Sequence, residues 1–407
     1  MPSSLANITV LDLSRVLAGP WASQILGDLG AEVIKIERPN GGDDTRSWGP
    51  PFVLDGNSGA PADAAYYLCA NRNKKSVTVD FTAPEGQGIV RRLAARADIV
   101  IENFKVGGLQ AYGLDYASLR QINPKLIYCS ITGFGQTGPY AARPGYDFLI
   151  QAMGGLMSIT GRKDGEPGAG PQKAGVALTD ILTGLYAVIG ILAALRHRER
   201  TGEGQFIDVA LLDVQVACLA NQAMNYLIGG EAPGRLGNAH PNIVPYQDFP
   251  TLDGWLIVAV GNDTQFARLC AELGLPEVAQ DPRFAHNQSR VEHRDALIER
   301  LCAVTAARTT AEWVQRLEHA GVPCGPINTL DQVFADPQVR ARRMQIELPH
   351  PVAGAVPLVA SPLRLSQTPV AYRMAPPALG AATREVLESL LGMSAAEIGA
   401  LAAKGIV

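Results

Sequence analysis

The chain has 407 residues, 47% of them hydrophobic and 18% charged, with a formal net charge of −4 and a pI near 5.9. That length exceeds one ordinary core and sets two domains as the expectation. The charge balance offers no basic face and argues against a nucleic-acid partner. Six scattered cysteines without a CxxC pair, and six histidines without ligand spacing, argue for a reducing compartment and against a metal site.

Ile8–Leu13 (ITVLDL) reads as a buried strand, with no secretory leader pattern before it. SRVLAGP follows as a loop, then a helix over Trp21–Leu29 and a strand over Ala31–Glu37, ending in Arg38. This β-α-β unit predicts a parallel sheet. A dinucleotide site with Glu37 as the ribose acid does not fit, because the first turn reads Ala18-Gly19-Pro20 and lacks G-x-G-x-x-G. Arg38, at the carboxyl end of its strand, suits a phosphate or is a solvated surface charge. Asn40–Pro51 is a loop, Asn71–Phe81 a basic turn feeding a strand, and Pro84–Ala95 a helix. Ala97–Phe104 and Leu126–Thr132 are further strands. The first ends in Asn103, Phe104 and Lys105, the second in the glycine-rich GFGQTGP. Open α/β sheets bind ligands at strand carboxyl ends. Arg38, Arg72, Lys74, Lys75 and Lys105 are therefore expected to converge on a phosphorylated, adenine-bearing ligand, with Phe104 or Tyr146 stacking on its ring.

Gly145–Gly155 reads as a helix and leads to a Gly/Pro-rich link. Ile181–Leu195 is apolar on almost every face, which predicts a buried helix. It falls about five residues short of the ~20 needed to span a bilayer, and a cytoplasmic protein without a membrane partner is expected. One charge, Asp180, stands in the first turn, where the helix dipole and free N–H groups favour its ionised form. Gly184, a turn further on, leaves room for an approaching group. Asp180 either caps the helix together with Thr179 or is a nucleophilic carboxylate. Gln205–Leu212 is strand-like and Val214–Ile228 helical. The irregular stretch Gly229–Pro245, containing His240, marks a change of domain. A smaller unit follows, with strands at Gly254–Val260 and Val322–Ile327 and helices near Thr264–Leu273, Arg290–Ala307 and Ala311–Ala320. The tail over Glu347–Ser366 is Pro-rich and extended, followed by helices Arg384–Leu391 and Ala395–Lys404.

Six segments together resemble the family III CoA-transferases over nearly the whole chain. They are Val10–Pro20, Leu29–Asp43, NRNKKS (Asn71–Ser76), ENF (Glu102–Phe104), GYD (Gly145–Asp147) and Thr179–Asp208. GGDDTRSWGPPFV, YCSITGFGQTGP, QVACLANQAMNYLIG and NIVPYQDF resemble the branch that works on succinyl-CoA and glutarate. The resemblance implies an α/β fold. A large Rossmann-like domain with a parallel sheet (1–228) would be joined to a smaller α+β domain (229–330), and a tail (331–407) would return to the large domain. It implies an interlocked homodimer. The substrates would be a CoA thioester and a small carboxylic acid, without a tightly bound cofactor or metal. Asp180 matches the catalytic aspartate, which would pass through a mixed anhydride and an aspartyl-CoA thioester. CoA would be held by Leu17, Ala18, Arg38, Asn71, Arg72, Asn73, Lys74, Asn103, Phe104 and Lys105, and by Pro144 to Asp147, including Tyr146.

There are departures. Formyl-CoA transferases have glutamine where Leu17 stands and a long glycine-run loop not found here, so oxalate/formate exchange is not expected. The position of an arginine that helps hold CoA in that subgroup falls near Ala111 here, so that contact is not expected. The remote carboxylate of a dicarboxylic acid needs a cation; Arg46, Arg72 and His240 are candidates, or are plain surface charges. Gly261–Asn262 is a candidate source of oxyanion donors. The alternatives are a 2-methylacyl-CoA racemase, a non-catalytic CoA-binding protein and a carnitine-type CoA-transferase. The racemase reading would place its second base at Tyr146, and a phenol is a poor proton carrier near neutral pH.

Overall fold

Six strands form one all-parallel sheet: β1 (Thr9–Asp12), β2 (Glu32–Glu37), β3 (Lys74–Thr78), β4 (Ile99–Glu102), β5 (Ile127–Thr132) and β6 (Phe206–Ala210). Their order is β3-β2-β1-β4-β5-β6. The computed structural model describes residues 3–407, which divide into two compact units. The sheet lies in the larger, made of residues up to 156, 174–224 and 338–407.

Both sheet faces are covered, which is why its strands read as nearly continuous apolar runs. Val10, Val33, Ile99 and Ile127 point to one face, where they meet α1 (Ala18–Asp28) and α4 (Leu178–Thr201). Leu11, Ile34, Val77 and Val100 point to the other. There they meet α2 (Pro84–Ala94) and the C-terminal helices α6 (Thr383–Leu391) and α7 (Ala395–Ala403). Two more helices flank α4: α3 (Asp147–Met153) and α5 (Leu211–Ala217).

Four sequence expectations are corrected. Helix α1 begins at Ala18, so Ala18-Gly19-Pro20 is a first turn and not a loop; a proline there gives up only an N–H that would have no helical partner. The helix expected over Val214–Ile228 is two helices, Leu211–Ala217 and Ala220–Gly229, interrupted where Ala220 takes φ 45°. The extended tail contains an antiparallel hairpin, Gln345–His350 with Gly354–Val359, begun by Gly354 at φ 73°. Alternating Ile346, Leu348, Val356 and Leu358 turn its apolar side toward Tyr67 and Leu68. Finally, α4 is buried on one side only. Thr183, Ala187, Val188, Ile191 and Leu195 are inside, whereas Leu185, Tyr186, Ile189 and Leu192 are exposed, Ile189 to 60%. At 24 residues α4 is long and apolar enough, by length and composition, to cross a membrane, but its inner face belongs to the sheet's core.

The smaller unit holds residues 157–173 and 225–337. A three-stranded antiparallel sheet, Cys324–Pro326, Trp255–Ala259 and Tyr246–Pro250, packs with helices Asp263–Glu272, Arg294–Thr305 and Thr310–His319 around Phe249, Phe266 and Trp313.

Candidate active site

β1 and β4 are neighbours at the point where the strand order reverses, and open α/β sheets bind ligands at the carboxyl ends there. A cavity of about 370 Å³ opens at that place. Its first wall is the loop leaving β1. Asp12, buried, accepts from Ser14 N–H (2.9 Å) and Ser23 Oγ (2.5 Å). Lys35 donates to the Ser14 carbonyl and to Asp43, both at 2.9 Å, and Asp43 accepts from Val16 N–H at 3.3 Å. Burial alone would raise the Asp43 carboxyl, but the Lys35 ammonium outweighs it and holds it at about 2. Asn103 grips Arg15 from both sides, accepting its N–H at 2.8 Å and donating to its carbonyl at 2.6 Å. These bonds hold Val16 at φ 71°, a region costly for a β-branched residue. The strained turn presents Leu17 and Ala18 to the cavity.

Asp180 also lines the cavity. Residue Ala177 at the N-cap of α4 makes no side-chain cap bond. Asp147 of α3 takes that role from outside the helix, accepting from Thr179 N–H at 2.9 Å and Asp180 N–H at 3.3 Å. Thr179 turns its hydroxyl to Gln215 at 2.7 Å. Asp180 is thereby relieved of capping, and no hydrogen bond to its carboxylate oxygens is made among the described residues. Burial first, and then the Asp147 carboxylate, raise it to about 7. This corrects the expectation that the helix terminus alone sets its ionisation. Gly184 makes room for α1 rather than for a ligand: a Cβ there would lie 2.7 Å from the Ala18 carbonyl and 3.2 Å from Trp21.

Leu17, Ala18, Asn103, Phe104, Lys105, Tyr146 and Asp180 all line this one cavity. Arg38 reaches its rim through Asp44, to which it donates at 2.6 Å; Arg15 approaches the other oxygen of Asp44 at 3.4 Å and lies 5.0 Å over the Phe104 ring. The Nε of Arg15 is buried without a hydrogen-bond partner.

Asn71, Arg72, Asn73 and Lys74 are not brought to the cavity. Lys74 is buried against Asp12, Asn71 and the Pro20 carbonyl, and burial lowers it to about 8. Arg72 forms a buried pair with Asp28 at 2.6 Å, and Asn73 binds Asp28 and the tail at Ala371, Arg373 and Met374. Lys75 pairs with Glu32 and Glu385. Of the five cations expected to converge, only Lys105 and, at the rim, Arg38 do so. Arg46 is committed to Glu37 and Asp63 under the Tyr67 ring. His240 and Gly261 belong to the smaller unit, where His240 Nδ1 accepts from Asn242 N–H and the Gly261 N–H is used by Gln265.

Sequence reasoning missed Arg15, Asp44 and Arg143, which line the cavity. Arg15 lies three residues past a strand end and was discoverable by the rule that picked Arg38. Burial and then Asp180 push the Tyr66 phenol to about 12, so it stays a neutral donor within electrostatic reach of that carboxylate.

A parallel α/β sheet whose switch-point cavity pairs one unbonded carboxylate with several cations defines a protein that handles an anionic ligand by carboxylate chemistry. The CoA-transferase family III model matches residues 5–383. The chain is 55% identical to succinate–glutarate CoA-transferase of Agrobacterium fabrum, over 95% of each chain. It is 46% identical to human succinyl-CoA:glutarate CoA-transferase, over 99% of this chain and 90% of that one. The crystal structure of a CAIB/BAIF family protein from Brucella suis superposes with a TM-score of 0.84 at 51% identity, covering 96% of this chain and all of that one. This chain belongs to the family III CoA-transferases and is an enzyme that transfers CoA.

Proposed function

We propose that this enzyme moves CoA between dicarboxylic acids, from succinyl-CoA to glutarate, with Asp180 as nucleophile. The observation that carries the reading is the unbonded Asp180 carboxylate in the cavity, freed from capping by Asp147. The names of the A. fabrum and human relatives support the substrate pair.

Asp180 attacks the thioester carbonyl carbon; the C–S bond breaks, giving an aspartyl–succinyl anhydride and CoA thiolate. The thiolate attacks the aspartyl carbonyl, releasing succinate and leaving an aspartyl-CoA thioester. Glutarate attacks that thioester to give an aspartyl–glutaryl anhydride and thiolate. The thiolate takes the glutaryl carbonyl, and Asp180 is restored. Each step exchanges one acyl bond for another, so covalent catalysis divides one hard displacement into easier ones without a net proton. A carboxylate raised to about 7 by burial is weakly solvated, which makes its anion the more reactive. Arg38, Arg15 and Lys105 provide charge for the phosphates of CoA, and a guanidinium suits them by its fork geometry.

We further propose an interlocked homodimer, on the support of the uncovered apolar stripe of α4. The deciding experiment mixes the enzyme with succinyl-CoA and a panel of acids and follows acyl-CoA products by mass spectrometry. Glutaryl-CoA with release of succinate is expected. Turnover only of acids with a single carboxylate would overturn the dicarboxylate reading, and exchange of the α-proton of a 2-methylacyl-CoA in deuterated water would favour the racemase.

A further inference from the structure

The strand order gives the cavity a direction. Arg38 leaves β2, Arg15 leaves β1 and Lys105 leaves β4, while Asp180 heads a helix packed on β5 and β6. Arg38 and Arg15 thus enter the cavity from the β1–β2 side of the switch point, and Asp180 enters from the β5–β6 side. A CoA thioester whose acyl carbon reaches Asp180 therefore extends its phosphates toward β1 and β2. The free part of the acyl group, and the acid that replaces it, remain at the Asp180 end.

Arg143 belongs to the same side as Asp180. Arg143 lines the cavity in the segment that runs through Tyr146 into Asp147, the residue bonded to the Asp180 N–H. The segment is pinned against the end of β5, because Gly145 and Gly133 approach so closely that a Cβ on either would strike the other's backbone. The guanidinium sits 4.6 Å from the Tyr140 ring centre and 5.3 Å from that of Phe134; these two rings meet edge to face at 5.6 Å. Aromatic faces hold a cation in place without neutralising it. No carboxylate pairs with Arg143 among the described residues, whereas Arg46, Arg72, Arg38 and Arg15 are each engaged by one.

We propose that Arg143 is the specificity-determining residue of this reaction, binding the remote carboxylate of the dicarboxylic acid while Asp180 and the thioester act on the near one. A planar, always-charged fork oriented by two rings matches a carboxylate in two-point contact. The proposal rests on the dicarboxylate reading above.

The test compares wild type with Arg143→Ala and Arg143→Lys, using succinyl-CoA as donor and either glutarate or pentanoate, its analogue lacking one carboxylate, as acceptor. The affinity for free CoA is measured by calorimetry on the same proteins. Losing a charge-assisted contact of this kind is expected to raise the KM for glutarate about tenfold to a hundredfold in Arg143→Ala. The preference for glutarate over pentanoate then collapses toward one, with CoA affinity unchanged. Arg143→Lys, a point charge without the fork, recovers part of the preference. If wild type prefers glutarate and Arg143→Ala keeps that preference, or if CoA affinity falls by the same factor as glutarate use, this proposal fails and the dicarboxylate reading stands. If wild type shows no preference, both fall.

Discussion

At the scale of single residues, Asp180 stands between two influences: the N-terminal dipole of α4, which favours its anion, and burial beside Asp147, which opposes it. The second wins, and the carboxyl lies at about 7. Stability and activity should then respond to pH in opposite ways. In the unfolded chain the group titrates near its ordinary 3.8, so between there and about 7 the folded state holds the proton more tightly. Stability from this group is lost as pH rises through that window. Asp180→Asn should therefore melt higher than wild type at pH 8 and nearly equal to it at pH 4. Its transfer activity should fall roughly a thousandfold or more. A variant that melts lower at pH 8, or still turns over, would remove Asp180 from its assigned role. The acid limb of kcat should lie near 7, because only the anion attacks. Asp147→Asn keeps a cap acceptor but removes the charge, so this limb should move to lower pH; an unmoved limb would mean that burial alone sets it.

Among the elements, α1 and α4 form the contact on which the cavity depends. They approach closely because Gly184 has no side chain where the Ala18 carbonyl passes. Gly184→Ala should cost about 1–3 kcal/mol by overpacking, read as a lower urea midpoint. CoA should also bind more weakly, because Ala18 lines the cavity; an unchanged midpoint would show that the helices can part freely. The tail is fastened in a comparable way by Arg72 and Asn73, which bind both Asp28 and residues 359–374. Arg72→Ala would leave Asp28 buried without its partner, a loss of about 3–5 kcal/mol. Burial already raises Asp28, so the damage should grow with pH. CoA affinity of the folded fraction should hold. A selective loss of CoA binding without destabilisation would return Arg72 to the ligand site.

For the molecule as a whole, what this chain leaves open is as informative as what it closes. Helix α4 turns Leu185, Ile189 and Leu192 outward in a stripe at i, i+4 and i+7, and α3 exposes Phe148, Leu149 and Met153 next to it in the packing order. Exposed apolar surface of this extent marks an interaction surface, and a second copy is the proposed occupant. Ile189→Lys should lower the melting temperature of the dimer, because interlocked subunits stay together until they unfold; a monomeric wild type by light scattering, or a variant that melts as wild type does, would remove α4 from the interface.

Much of this was legible in the amino-acid sequence because it depends on neighbours along the chain. All six strands of the large sheet were found to within a few residues, since strands such as Thr9–Asp12, Ile99–Glu102 and Ile127–Thr132, covered on both faces, are largely apolar runs whatever packs on them. The family, and with it CoA transfer, followed from local motifs such as NRNKKS, ENF and GYD. Asp180 was singled out because one charge heading an apolar helix is visible in a window of fifteen residues. The sequence could not say which charges are spent on one another. Arg72 and Asp28 are 44 positions apart, Lys74 and Asp12 are 62 apart, and only folding shows that these ions neutralise each other, leaving Lys105 and Arg143 at the cavity without a carboxylate partner among the described residues. Nor could it show that Asp147 caps α4 from another helix, or that the apolar face of α4 is half uncovered, because both depend on what lies across the gap between elements. Apolar pattern and local motif determined the elements, the family and the nucleophile. Tertiary structure alone decided which polar groups satisfy one another and which remain available to a substrate.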